Sequence, residues 1–495
     1  MVLLVVFGAA LAFYGATLAP TLIWGDSAWF TLYAVRGNLS FSNASEHPFY
    51  LLVSRLFLWL PGDPGRNVAL VSAVFAALAV TLAYRVARQL GVSALAAAVG
   101  AGALAVSHGF WLHAVIPEVY TANACFLLAV ISLVLAWSEH GRLWVLACAG
   151  LVWLVGLTNH LVLAGAAPAL ITFVAISRPH LFLTRRALLS VGGGIVLCAV
   201  LVAVVPPVSA LAYKIWVGPP GISDYFRLTF PVGPMLRESA YYVMYLAYQF
   251  PTVTLPVGIL GIYALVRDRP RHAVLLLLLV LVNAGVFIHH TAWVSAATAK
   301  FVFYISDYAV FALFCAVGAE EVMRLLRTSV SPSMVRATGL AVLVLGITVP
   351  PLLYGLLPAV STMYGIDLIQ AKTVPYRDNQ QYFLNPNKHG YRGARRFAEE
   401  ALRVVPPEAV IFADYTPATV LRYLQLAEGV RRDVGLRVAD GKVDDRVHVT
   451  WVEAGGVRRP VFVATMTPDY YDFSGLTGDY EFVPAGPIFE VRARE

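Results

Sequence analysis

The chain has 495 residues, of which 59% are hydrophobic and 13% charged, and its mean hydropathy is +0.71. That composition excludes a soluble globular enzyme and points to many apolar helices in a bilayer. The net charge of +7 suggests nucleic acid at first sight. The Lys and Arg, however, sit in short clusters between apolar runs, as membrane orientation requires, so no nucleic-acid partner is expected.

Apolar runs fall at 2–23, 68–90, 93–115, 120–137, 143–158, 161–177, 187–205, 240–266, 273–291, 301–319 and 335–358. Each is long enough, or nearly so, to cross roughly 30 Å of hydrocarbon as a helix. The start, Met1 to Leu18, lacks a basic leader and a cleavage site, and reads as a retained first helix. Arg85/Arg88, Arg142, Arg178/Arg185/Arg186, Arg267/Arg269/Arg271 and Arg324/Arg327/Arg336 occupy alternate connections, which predicts a cytoplasmic N-terminus and about eleven spans. The opposite face then gathers the 24–66 loop, Pro117-Glu118, Asn159-His160, the 206–238 loop, the turn from His289 to Lys300, and everything after Pro358.

The expected fold is therefore an α-helical polytopic membrane domain over 1–358 with a small extracytoplasmic α/β domain over 359–495. In that tail, Gly393 to Val404 reads as an amphipathic helix and 409–413 as a buried strand. A helix from Pro417 to Leu426 follows, then strands near 434–438 and 461–464, which predicts a largely parallel sheet. No glycine-rich phosphate loop occurs there. The cysteines, Cys125, Cys148, Cys198 and Cys315, are scattered through apolar runs and read as small buried hydrophobes.

The first hydrophilic loop, Trp24-Gly25-Asp26-Ser27 through His47-Pro48-Phe49-Tyr50, carries an acid directly after an apolar run. A carboxylate at the membrane edge costs free energy unless solvated or paired. Asp26 is thus either a general base or acceptor anchor, its pKa raised by partial burial, or a helix-capping loop acid. Glu118, after Pro117 and ahead of Tyr120 and Asn123, is a second site acid or a solvated helix start. Asn159 and His160 lie at a helix break and could line a pocket, and His47 and His289-His290 share that face. A divalent metal is one use for these histidines, but no His-x-x-x-His or Cys-x-x-Cys spacing supports it. Lys300 would either hold a lipid-linked phosphate or snorkel at the interface. Arg36 and Arg55 are alternative cations, and Asp307 should face protein or water. The stretch Tyr241 to Tyr248 reads as an interfacial belt or a sugar-stacking surface. Asn38-Leu39-Ser40 and Asn43-Ala44-Ser45 match glycosylation acceptors.

The succession Gly25-Asp26-Ser27, His47-Pro48-Phe49-Tyr50, Phe110-Trp111, Ile116-Pro117-Glu118-Val119-Tyr120 and Gly156-Leu157-Thr158-Asn159-His160 resembles the bacterial relatives of the TMEM260 O-mannosyltransferases, a group of GT-C glycosyltransferases. Ala394-Arg395-Arg396-Phe397 and Glu428-Gly429-Val430-Arg431-Arg432-Asp433 extend the resemblance into the tail. It implies a multispanning enzyme that passes a sugar from a polyprenyl-phosphate donor, in inverting fashion, to a protein, glycan or lipid acceptor on the extracytoplasmic face. Asp26 and Glu118 would be catalytic. His47, Asn159, His160, Tyr120, Lys300 and Arg55 would bind donor or acceptor. Lys300 stands where the group is expected to carry Arg-Tyr, and His47-Pro48-Phe49 lacks an expected Pro-Gly. The rival class is a transporter or lipid-linked-sugar flippase, which would place its ionisable residues at the bilayer midplane. Here they collect at one face.

Overall fold

The computed structural model describes residues 1–37, 47–179, 196, 200, 203–204, 230–293, 300–369, 371–439, 459–466 and 480–494. The expected span 187–205 lies largely outside them, as do both sequons, Cys198, Lys214 and Arg227. The first half runs α1 (Val2–Thr17), α2 (Asp26–Arg36), α3 (Pro48–Phe57), α4 (Pro64–Gln89), α5 (Ala94–Val106), α6 (His108–Ala114), α7 (Tyr120–His140) and α8 (Leu143–Asn159). A 3-10 turn, Leu161–Ala166, leads into α9 (Ala167–Ser177). After the undescribed stretch come α10 (Val232–Gln249), α11 (Thr254–Asp268), α12 (Pro270–Thr291), α13 (Ile305–Leu326) and α14 (Pro332–Met363).

Among the described residues, five helices are long and apolar enough to cross a membrane, and seven if each of two bent pairs counts as one span. The bent pairs are where the expected straight spans break. α5 and α6 meet at 66°, and α10 and α11 at 109°. The second break replaces the single span read over 240–266, because Pro251 has no amide proton to continue the ladder and Thr252 takes φ 67. The hydrophilic 24–66 stretch holds α3, the short helix expected to open at His47-Pro48, and a further helix, α2, that was not expected.

α11 and α13 cross backbone to backbone at Gly261 and Gly318. A Cβ on Gly318 would stand 1.8 Å from the Val257 carbonyl oxygen, and one on Gly261 1.9 Å from that of Phe314. Backbone cannot yield as a side chain tip can. Gly318→Val is therefore expected to cost about 3 kcal/mol or more, read as loss of the monodisperse peak in detergent gel filtration. An unchanged peak would contradict this crossing.

The tail contributes α15 (Asn379–Leu384), α16 (Gly393–Val404), β1 (Val410–Asp414), α17 (Tyr415–Leu426), β2 (Gly435–Ala439), β3 (Val461–Val463), β4 (Tyr480–Ala485) and β5 (Ile488–Ala493). The sheet order is β2-β1-β3-β5-β4. β1 runs parallel to β2 and β3, as expected, whereas β5 is antiparallel to both β3 and β4. That closing hairpin turns at Gly486, with φ 60.

The tail is fastened to the helical part around the start of α2. Trp24 donates its indole N–H to the Tyr391 hydroxyl at 2.6 Å and packs on Phe397. Tyr248 donates to the Leu384 carbonyl at 3.2 Å, and the Lys388 amide to that of Thr17 at 3.0 Å. Asp63, which caps α4, accepts from Thr21 at 2.6 Å and pairs with Arg395 at 3.4 Å, while Arg395 also pairs with Glu399 and Glu428.

Lys388 is buried inside this seam, donating to the carbonyls of Tyr382 at 2.8 Å and Asn385 at 2.5 Å. Burial pushes its ammonium down to about 7. Because the folded pKa lies below the unfolded one, the unfolded chain binds more protons between pH 7 and about 10, so stability rises with pH across that window, by up to roughly 5 kcal/mol. Below pH 7 the full penalty stands. Lys388→Met should remove this rise, which thermal unfolding of the detergent-solubilised protein from pH 7 to 9.5 would register. An equal slope in both proteins would refute it.

Candidate active site

Helices α2, α6 and α7, the 3-10 turn before α13 and the tail enclose a cavity of about 300 Å³. Its wall includes Asp26, His113, Glu118 and Tyr120 from the helical part, and Arg377, Tyr382 and Tyr415 from the tail. Of the polar residues that sequence reading placed on one face, Asp26, Glu118 and Tyr120 meet here, with tail residues completing the wall.

Asp26 is the first residue of α2. Gly25 occupies the cap position at φ 65, and the Asp26 side chain makes no capping bond to the helix. A glycine is needed there because that backbone conformation is costly for other residues. The carboxylate is instead free to accept from the Tyr415 hydroxyl at 2.5 Å. Burial, and then the Asp26 carboxylate, hold the Tyr415 phenol well above its ordinary value, so it keeps its proton and donates.

Glu118 is buried in the connection between α6 and α7, whose backbone is clamped by Ser72. The Ser72 hydroxyl donates to the Glu118 carbonyl at 2.9 Å, and the Glu118 amide contacts the same oxygen at 3.0 Å. Burial, and then the Asp26 charge, push the Glu118 carboxyl well above the usual carboxylate range. A Glu118 carboxyl that keeps its proton can act there as a hydrogen-bond donor.

Tyr120, at the start of α7, lies between two histidine layers. His113 packs edge-on to it at 5.2 Å, and His160 lies on its other side at 5.4 Å and stacks on His47 at 4.8 Å. His47 donates from Nδ1 to the Asn159 carbonyl at 2.6 Å, and its backbone sits at φ 48, an uncommon conformation for this residue type. His160 accepts at Nδ1 from the Val162 amide at 3.1 Å, so a neutral ring carries its proton on Nε2. Asn159 is buried and donates to the Val119 carbonyl at 3.1 Å, tying this layer to the Glu118 connection. His47, Asn159 and His160 therefore stand behind Tyr120 rather than in the cavity wall.

The two cations named from sequence lie elsewhere. Lys300 is buried and pairs with Glu238 at 2.9 Å, while its neighbours Phe301 and Val302 reach the cavity. Arg55, in the last turn of exposed α3, packs over Gly37. Arg377, which sequence reading missed, is among the described residues the one Lys or Arg in the cavity wall. Its Nε donates to Asn379 at 3.0 Å and an Nη to the Lys372 carbonyl at 2.9 Å, and its guanidinium lies 5.2 Å from the Phe383 ring centre and 5.5 Å from that of Tyr382. Only folding of the tail onto the bundle reveals it, since it sits in an irregular segment. Asp307 is buried beside Asn283 and Ser306 in a separate small pocket of α13, within protein as expected. Among the described residues, no three His, Cys, Asp or Glu side chains converge as a metal site would require.

Residues 33–181 match the model of the N-terminal domain of the TMEM260 protein O-mannosyl-transferases. That stretch carries His47, Arg55, Glu118, Tyr120, Asn159 and His160; Asp26 precedes it. Nine chains of solved structures match. One is ArnT from Cupriavidus metallidurans bound to undecaprenyl phosphate, at 15% identity and a TM-score of 0.55, covering 99% of this chain and 97% of that one. No curated protein matches the chain. The resemblance read from the sequence motifs is borne out over 33–181, and the chain shares the fold of ArnT, with a small C-terminal sheet.

Proposed function

We propose that this protein is an integral membrane glycosyltransferase that moves a sugar from a polyprenyl-phosphate donor to an acceptor hydroxyl, with inversion, on the extracytoplasmic side. The observation that carries this reading is the shared cavity of Asp26, Glu118 and Arg377, roofed by the tail, in a fold common to an enzyme whose structure holds undecaprenyl phosphate. In this reading residues 1–358 form the catalytic membrane domain and 359–495 the external domain that closes it. The meeting of Asp26, Glu118 and Arg377 in one cavity favours it over a transporter or flippase.

The acceptor oxygen attacks the anomeric carbon while the bond from that carbon to the phosphate oxygen breaks. Asp26 takes the hydroxyl proton, and polyprenyl phosphate leaves with the bonding electron pair. Tyr415 fixes the direction of the Asp26 carboxylate. Arg377 faces the phosphate, where a planar cation held by neighbouring carbonyl and amide oxygens is already oriented. Glu118, which holds its proton, donates a hydrogen bond to the sugar-phosphate oxygens. Tyr120 and the histidines behind it shape the sugar's seat, and Lys300 secures the 3-10 turn that carries Phe301 and Val302 to the wall.

Mass spectrometry of the envelope glycans and glycoproteins, with and without the protein, tests this reading. A missing hexose on a defined acceptor is expected. Identical glycans in both, under conditions where the protein is made, would contradict it.

A further inference from the structure

A second cavity, of about 510 Å³, lies on the other side of Tyr415. Its lining is Trp29 of α2, Tyr415, Ala418, Thr419 and Arg422 of α17, and Leu436 to Val438 of β2. The four α17 residues are spaced as one helix face. Three consecutive β2 residues reach the same space although successive side chains alternate between sheet faces, so the strand's edge borders it.

That edge is open. β2 ends the sheet and, among the described residues, pairs with β1 alone. The Gly435 amide donates to the Ala409 carbonyl at 2.8 Å. In a parallel ladder the direction alternates, so the backbone N–H and C=O groups of Leu436 and Val438 point away from β1, toward the groove. The charged lining residues are Arg422 and Arg437; no acid joins them, and neither is in an ion pair among the described residues. Trp29 supplies an apolar floor, its ring tilted against that of Tyr33 with the centres 4.5 Å apart.

We infer that this groove receives the acceptor as an extended, acidic peptide segment added alongside β2, its hydroxyl delivered past Tyr415 to Asp26. Main-chain pairing to an open edge gives affinity, and the two arginines select acidic side chains flanking the hydroxyl. The inference rests on the transferase reading of the neighbouring cavity. It explains why one tyrosine lines both spaces while holding Asp26: it is the wall the acceptor oxygen must pass.

The test uses the full-length protein in nanodiscs and fluorescent peptides bearing one Thr flanked by Asp and Glu, by Asn and Gln, or by Lys. The acidic peptide should bind tightest. Arg422→Glu and Arg437→Glu should each weaken it about tenfold and reverse the preference toward the Lys peptide. Val438→Pro, which removes an outward N–H at an edge where proline is tolerated, should weaken all three peptides alike. A peptide N-methylated at alternate residues should lose affinity for the unaltered protein, which makes the result independent of any folding defect. Arg492→Glu, on distant β5, is the control and should change nothing.

Affinity indifferent to peptide charge, N-methylation and Val438→Pro overturns the inference, as does a glycolipid acceptor accompanied by no peptide binding. Release of free sugar from polyprenyl-phosphate mannose without any acceptor reads the donor cavity alone. Release that depends on Asp26, with no peptide bound, leaves the transferase standing and removes the peptide groove. Peptide bound with no sugar released from any donor leaves a peptide site and overturns its role in transfer.

Discussion

Asp26→Asn is expected to lower the rate of sugar transfer about a thousandfold, the middle of the range for removing a general base, while donor affinity stays within a factor of about two. The amide has the same shape, and its oxygen can still accept from Tyr415, so the contact that fastens α17 to α2 survives. What disappears is the capacity to take a proton. A fall in kcat at constant donor Kd therefore separates chemistry from architecture. Turnover near that of the unaltered protein would remove Asp26 from the mechanism.

The second large effect belongs to Arg377. Arg377→Met should weaken binding of polyprenyl phosphate about a hundredfold, equivalent to roughly 3 kcal/mol for a charge-assisted contact in a partly desolvated site. Arg377→Lys should recover little, because a point charge cannot replace a planar fork anchored by Asn379 and the Lys372 carbonyl. Lys300→Met should behave differently. It removes the close partner of the buried Glu238, leaving Arg237 at 3.6 Å, so the loss appears as instability of the fold, with the donor affinity of the surviving protein preserved. Isothermal titration with a short-chain polyprenyl phosphate measures all three. Equal loss in Lys300→Met and none in Arg377→Met would exchange the two roles.

Much of this arrangement was legible from local pattern. Gly393 to Val404 reads as an amphipathic helix because its apolar residues recur on one face, and α16 has those limits. β1, α17, β2 and β3 follow the same logic within a residue or two. β4 and β5 escaped because Tyr480–Ala485 mixes polar and apolar residues and carries Pro484, as an edge strand can. α2 escaped because Gly25-Asp26-Ser27 has the composition of a turn. Its helical state is decided by packing against α17, nearly the whole chain away. The break after α10 had a visible cause in Pro251, but an apolar run on both sides hides the angle that proline imposes.

The candidate site divides along the same line. Asp26 and Glu118 were found because an acid beside an apolar run is conspicuous, and Tyr120 because it follows Glu118 in the motif that carries the resemblance. Arg377 and Tyr415 were not, since an arginine in an irregular polar segment and a tyrosine at a helix start carry no such cost. They become functional candidates only when the tail lies across the bundle. Lys300 was conspicuous as a cation opening an apolar run, read as a phosphate holder or a snorkelling lysine; it is instead buried and paired with Glu238.

The most direct measurement of the central claim places the purified protein in liposomes with radiolabelled polyprenyl-phosphate sugars on one leaflet, and follows both sugar transfer and movement of the intact donor between leaflets. Release of polyprenyl phosphate with formation of a new glycoside, lost in Asp26→Asn, is the predicted result. Intact donor crossing the bilayer with no glycoside formed, at the same rate in the Asp26 variant, would contradict it.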